Sequence, residues 1–224
     1  MNGEIASDLK KKILSITPSL DLAGSGSESN WYTSKILRDC LYNTIFLDPF
    51  KYSSIEIRNK ILETYRQVNS LYQFSHPNGD PVGQLLLAEF ENATGNFNLL
   101  HQCGSEGFNT FNIFNNVNDV EVIGGTLEIR NSVKLEVNLA LERLSYHILS
   151  HDGGFITVAD LCHEIIKKQP DKAIGGNIYC SYLTHKDGIP QHSRFFIKEN
   201  GEEYFFNEDD GLEKIIYQDL LSFN

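Results

Sequence analysis

The sequence predicts an α+β protein, with a helical N-terminal half packed against an antiparallel sheet formed mainly by the C-terminal half. Three observations predict it. Apolar residues recur at helical spacing through residues 31–47 and 53–74. From residue 178 to residue 206 they alternate instead, and Asn200-Gly201 stands where a tight hairpin needs residues tolerant of positive φ. The composition, 41% hydrophobic and 22% charged over 224 residues, is that of an ordinary folded domain.

Taken in order, residues 4–16 place Ile5, Leu9, Ile13 and Leu14 near one face, the spacing of a short amphipathic helix that stops before Pro18. The run from Ala23 to Asn30 is small and polar and reads as a linker. Residues 1–30 are therefore expected to form a helical arm and linker, and residues 31–224 a single α+β domain. Ile36, Cys40, Leu41 and Ile45 give a helix broken by Asp48-Pro49. Ile57, Ile61, Leu62, Tyr65 and Val68 give a second, capped by Ser53 or Ser54 and ended by the turn from His76 to Gly79. Val82 to Glu91 is expected to be helical as well.

The Asn- and Phe-rich stretch from Phe97 to Asp119 predicts a short strand and a turn at Gly104 and Gly107. Beyond them Phe108, Phe111 and Phe114 stand at helical spacing, an aromatic stripe facing the core. Val120 to Ile129 predicts a hairpin around Gly124-Gly125. Residues 133–141 alternate before Leu141, Leu144 and Ile148 take up helical spacing, a strand-to-helix transition. Thr157 and Asp160 have the form of a capping box, opening a helix that runs to about Lys168. Strands are expected at Ile178 to Leu183, His192 to Lys198 and Glu202 to Phe206, the last two joined by Asn200-Gly201.

Charge narrows the partners. A formal net charge of -11 repels phosphates, so nucleic acid is not expected to bind. No apolar run approaches the length of a membrane span, and the N-terminus resembles neither a secretory signal nor a transit peptide. The protein is expected to be soluble and cytoplasmic as synthesised, with a protein substrate or protein partner. Cys40, Cys103, Cys162 and Cys180 form no CxxC pair and no disulfide framework, which suits a reducing compartment. No cofactor or metal is expected. Gly24-Ser-Gly26 lacks the Lys and spacing of a phosphate loop, and His147, His151, Cys162 and His163 stand in no HExxH or CxxC frame.

The most suggestive chemistry lies in the last hairpin. His192 opens one strand and Asn207 closes the next, followed by Glu208, Asp209, Asp210 and Gly211. Antiparallel pairing brings these ends together. A neutral imidazole can take a proton from a thiol, and a carboxamide or carboxylate on the adjacent strand fixes its tautomer.

The segment from His192 to Gly211 (HSRFFIKENGEEYFFNEDDG) resembles the His and Asp/Asn hairpin of papain-like thiol hydrolases. It is most similar to that of bacterial effectors, the YopT-type proteases and glutamine deamidases, in which an orienting Asp follows an aromatic residue and precedes a Gly. The resemblance covers about the last forty residues. It implies a papain-like fold, a secreted effector acting inside a host cell, His192 as the proton shuttle, and Asn207 or Asp209 as the orienting residue. Asn207 stands where the effectors usually carry Asp. The nucleophile in such folds lies upstream of the His at a helix N-terminus, where the thiol pKa falls. Cys103 is the one cysteine beside a Gly-punctuated turn, so it is the expected nucleophile, with Gln102 as a conceivable oxyanion donor. Cys40 and Cys162 fall inside predicted helices and Cys180 inside a predicted strand, where a buried thiol is the ordinary role. The expected activity is hydrolysis of a protein amide, by peptide cleavage or glutamine deamidation. The competing expectation is a non-catalytic acidic module that inhibits or scaffolds a partner.

Overall fold

The computed structural model describes residues 12–76, 78–116, 119–143, 154–169, 178–186, 189–197, 203–207 and 211–214. The chain divides into two compact units, one of residues 12–130 with 183–192 and one of the remainder. Among the described residues a five-stranded antiparallel sheet runs in the order β1 (Ile13–Thr17), β2 (Leu20–Gly26), β3 (Gly83–Glu91), β4 (Asn96–Cys103), β5 (Asn112–Phe114). A second sheet, of four strands, runs β6 (Ile178–Lys186), β7 (Ile189–Ile197), β8 (Glu203–Asn207), β9 (Gly211–Lys214). The helices are α1 (Glu28–Leu47), α2 (Ser54–Ser75), α3 (Leu127–Arg143) and α4 (Gly154–Lys167).

The class is α+β, but strands are not concentrated in the C-terminal half. The larger sheet comes from residues 13–114, and α1 and α2 connect two of its inner strands. Both helices cover one face of it. Leu14 and Ile16 of β1, Leu20 and Leu22 of β2, Leu85 and Leu87 of β3 and Leu100 of β4 alternate toward the helices. They meet Leu37, Leu41 and Ile45 of α1, and Ile57, Ile61 and Tyr65 of α2.

The α1 and α2 helices start where the sequence satisfies the unpaired backbone donors of a first turn. The Ser27 hydroxyl accepts the Asn30 N–H at the head of α1. Ser53 and Glu56 form a reciprocal capping box at the head of α2. The α2 helix is also tied to the sheet by charge. The Arg58 guanidinium donates through Nε (3.1 Å) and Nη2 to the carboxylate of Glu89, which is 2% exposed and also accepts from Asn98 Nδ2. Apolar packing alone would tolerate a slip of α2 along β3; this buried pair does not.

Six expectations are corrected. Ile13–Thr17 is a strand where a helix is expected, and Ala23–Gly26 belongs to inner strand β2 where a linker is expected. Gly83–Glu91 is strand β3, not a helix. It is covered from the helix side at Leu85 and Leu87 and partly from the other side at Leu86 and Ala88, so its apolar run is continuous and its spacing uninformative. Residues 120–129 form no hairpin. Gly124 and Gly125 turn the chain into α3, where the Thr126 hydroxyl accepts the Ile129 N–H. Residues 133–141 lie wholly within α3, with Val133 and Val137 buried one turn apart. Phe114 lies in a short strand rather than on a helix, while Phe108 and Phe111 do enter the core.

The strands flanking Asn200-Gly201, which lies outside the described residues, pair with each other. Phe195 pairs with Phe205, Phe196 with Tyr204 and Ile197 with Glu203, antiparallel.

Candidate functional site

The site is built where β2 ends and β3 begins. Gly26 pairs with Gly83 and Ser25 with Gln84. Gly83 has φ 148°, and a Cβ there would stand 2.0 Å from the Ser25 carbonyl oxygen, so only glycine allows the two backbones to approach this closely. Asn30 clamps the junction from the helix side, its Nδ2 donating to the carbonyls of Ser25 (2.7 Å) and Gln84 (3.1 Å). Tyr65 holds the clamp in turn, its hydroxyl donating to the Asn30 carbonyl at 3.0 Å.

The β3–β4 register places Cys103 opposite Gln84, at the last position of β4. A single 3-10 turn, Gly104–Glu106, follows. Asn69 of α2 fixes that turn, donating to the Gly104 carbonyl (3.0 Å) and accepting the Val82 N–H (2.9 Å). Phe108 then takes φ 52°, a left-handed conformation rare for a bulky side chain, held by full burial of its ring against Tyr65 with centroids 5.4 Å apart. The chain leaving Cys103 is thus fixed at several points.

A cavity of about 280 Å³ opens at this corner. From the first sheet it is lined by Ser25, Gly26, Gly83, Gln84 and Cys103. Ser105, Pro81 and the segment Gly124, Gly125 and Arg130 complete it. The Cys103 Sγ is 3.0 Å from the Ser105 Oγ. Gln84 Oε1 accepts the Gly124 N–H at 2.8 Å, and Arg130 Nη1 donates to the carbonyls of Gly125 (2.9 Å) and Gly124 (3.4 Å). No Asp or Glu lines the cavity.

Of the expected site residues, Cys103 lines this cavity, at a strand end rather than at the N-terminus of a helix. His192 lies on β7, within the same compact unit as Cys103. Asn207 ends β8, in the other unit, and Asp209 lies outside the described residues. Gln102 is not an oxyanion donor. Its side chain is buried, with Nε2 donating to the Thr110 carbonyl (2.5 Å) and Oε1 accepting the Cys103 N–H (2.6 Å), so it braces the turn from within.

The other thiols are placed differently. Cys40 is exposed on α1. Burial pushes the Cys162 thiol up. Burial, reinforced by Cys162 and Asp160, pushes Cys180 up to about 12. His147 and His151 lie outside the described residues, and among those described no group of three or more His, Cys, Asp and Glu is arranged to hold a metal ion. No helix among them is long and apolar enough to cross a membrane.

Two lining residues were not singled out from sequence. Ser25 comes from the segment read as a linker, and Arg130 follows directly on the segment read as a hairpin. His101 lies two residues before Cys103 on the same face of β4, and its Nε2 is buried with no hydrogen-bond partner among the described residues. Comparison with protein-family models and with curated proteins gives no match, so the reading of the site rests on its own geometry.

Proposed function

We propose that the chain is a papain-like thiol hydrolase acting on an amide of a protein substrate, with Cys103 as nucleophile and His192 as the acid–base group. The observation that carries the reading is the position of the Cys103 thiol. It lines a cavity beside a hydroxyl at the end of a braced strand while itself only 7% exposed; Cys162 and Cys180 are half-buried, and desolvation pushes their thiols up. In the proposed reaction the Cys103 proton passes to an imidazole and Sγ bonds to the substrate carbonyl carbon. Collapse of the adduct breaks the C–N bond, and the imidazolium returns the proton to the departing amine or ammonia. Water, deprotonated by the same imidazole, then cleaves the thioester, releasing a carboxylate and the free thiol. In the family that the last hairpin resembles an Asn or Asp orients the imidazole, the role that the resemblance gives to Asn207 or Asp209. Peptide cleavage and glutamine deamidation share these steps, and the resemblance of the last hairpin favours an effector delivered into a host cell.

Labelling with iodoacetamide tests the reading. Cys103 in the native chain is expected to react at neutral pH despite its 7% exposure, reached through the cavity that it lines. His192→Ala is expected to suppress that reactivity, with His101→Ala as the comparison for another imidazole of the unit. If Cys103 labels only in denaturant, the enzyme reading falls.

A second reading, a non-catalytic binding module, is favoured by the exposed apolar residues around the end of α1. Phe46, Leu47 and Phe50 are 65%, 82% and 88% exposed. A Cys103 thiol that stays unreactive in the native chain is the outcome that selects it.

A further inference from the structure

We infer that the cavity beside Cys103 is a carboxylate pocket, in which Arg130 holds an acidic group of the substrate while Cys103 addresses a neighbouring carbonyl. The inference rests on the proposed thiol chemistry for its second half and on the cavity itself for its first.

Arg130 is the one formally charged residue in the lining. Acidic residues outnumber Lys and Arg in the chain by 30 to 19, yet none lines the cavity and Arg130 forms no ion pair among the described residues. Its guanidinium is nevertheless positioned. Nη1 is anchored by the Gly124 and Gly125 carbonyls, and Gly124 is held by Gln84. An arginine secured through one nitrogen presents its remaining N–H groups as a planar fork, the shape that matches a carboxylate. The Ser25 and Ser105 side chains, both in the lining, add hydroxyl donors for the same anion. A cation is not what such a lining selects, because it offers no carboxylate ligand.

The size of the cavity limits the occupant. Pockets for whole small molecules run from about 300 Å³ upward. At about 280 Å³ this one suits a single acidic side chain or a chain-terminal carboxylate with its adjoining amide. In a chain of net charge -11, an acidic substrate meets a repelling field over much of the surface, which Arg130 offsets locally at the cavity.

The test compares two alkylating reagents on the full chain, the anionic iodoacetate and the neutral iodoacetamide. In each, the thiolate forms a bond to carbon and iodide departs, so only the reagent's charge differs. The expected result is a Cys103 rate ratio, iodoacetate over iodoacetamide, about tenfold above that of the cysteines in the denatured chain, as one charge-assisted hydrogen bond would give. Arg130→Gln should return the ratio to the denatured value, and Arg130→Lys should retain most of the preference. Thermal unfolding with N-acetylglutamate against N-acetylglutamine supplies a readout independent of the thiol. The acid alone should raise the midpoint, and Arg130→Gln should abolish the rise. If Cys103 labels with neither reagent but the acid still raises the midpoint through Arg130, the thiol reading falls and the carboxylate pocket stands. If the acid and the amide act alike, and Arg130→Gln changes neither the midpoint rise nor the ratio, the pocket is overturned.

Discussion

Tyr65 shows how one side chain couples the core to the site. It is fully buried, packs on Phe108, and donates its hydroxyl to the backbone carbonyl of Asn30, whose amide joins the strands under the cavity. Burial pushes its phenol well above the ordinary value near 10, against a smaller opposing pull from Ser34. The sign of the linkage follows from that direction. Below about pH 10 the phenol is neutral in both folded and unfolded chains and adds no pH dependence. Above it the unfolded chain ionises first, so the stability contributed by the neutral buried phenol is lost as pH rises toward the elevated folded value, by at most about 1.4 kcal/mol per pH unit. Tyr65→Phe should therefore start about 1 kcal/mol less stable at neutral pH, having lost one hydrogen bond. The deficit should shrink between pH 9 and 11. Urea unfolding of both proteins across that range measures it, and a deficit independent of pH would show that the phenol is not shielded as described.

At the scale of the element, the β2–β3 junction shows what spacing can and cannot convey. Gly83 sits between Val82 and Gln84 in a run whose apolar residues fit a helix and a doubly covered strand equally. Its φ of 148° and the lack of room for a Cβ against the Ser25 carbonyl are properties of strand pairing and leave no trace in the local pattern. Gly83→Ala is thus expected to push β2 from β3 at the cavity and cost well over the about 1–3 kcal/mol typical of overpacking, because backbone strain adds to it. Ser53→Ala, which removes only the α2 capping box, should cost about 1 kcal/mol and leave labelling of Cys103 unaltered. Urea midpoints rank the two, and equal effects would mean that the junction yields without strain. The α1 and α2 helices and the last hairpin were legible because their signals are local: a cap, a 3.6-residue stripe, an Asn-Gly turn. The Gly124-Gly125 turn was visible but misassigned, since the same pair that closes a hairpin also turns a chain into a helix.

For the whole molecule, long-range pairing decides what no segment announces. Cys103 was legible as a candidate from its Gly-rich neighbourhood. Arg130 and Ser25 were not, because only folding brings residues 25, 84, 103 and 130 to one cavity. The polarity of Ala23 to Asn30 suggested a linker separating a dispensable arm. In the structure Ser25 is paired with Gln84, the Gly24 N–H donates to the Lys12 carbonyl, and Asn30 is 2% exposed. Small residues stand here because the backbones approach closely, not because the chain is free. Limited proteolysis should accordingly leave Ala23 to Asn30 uncut in the native protein. Deleting residues 1–26 should remove two of the five strands, uncover Leu85 and Leu87 beneath the helices, and leave the β3 edge unpaired. Such a chain is expected to be insoluble or to lose cooperative thermal unfolding. A truncated chain that unfolded at the midpoint of the intact one would show that β1 and β2 are an appendage, and the cavity would then have to be built without Ser25.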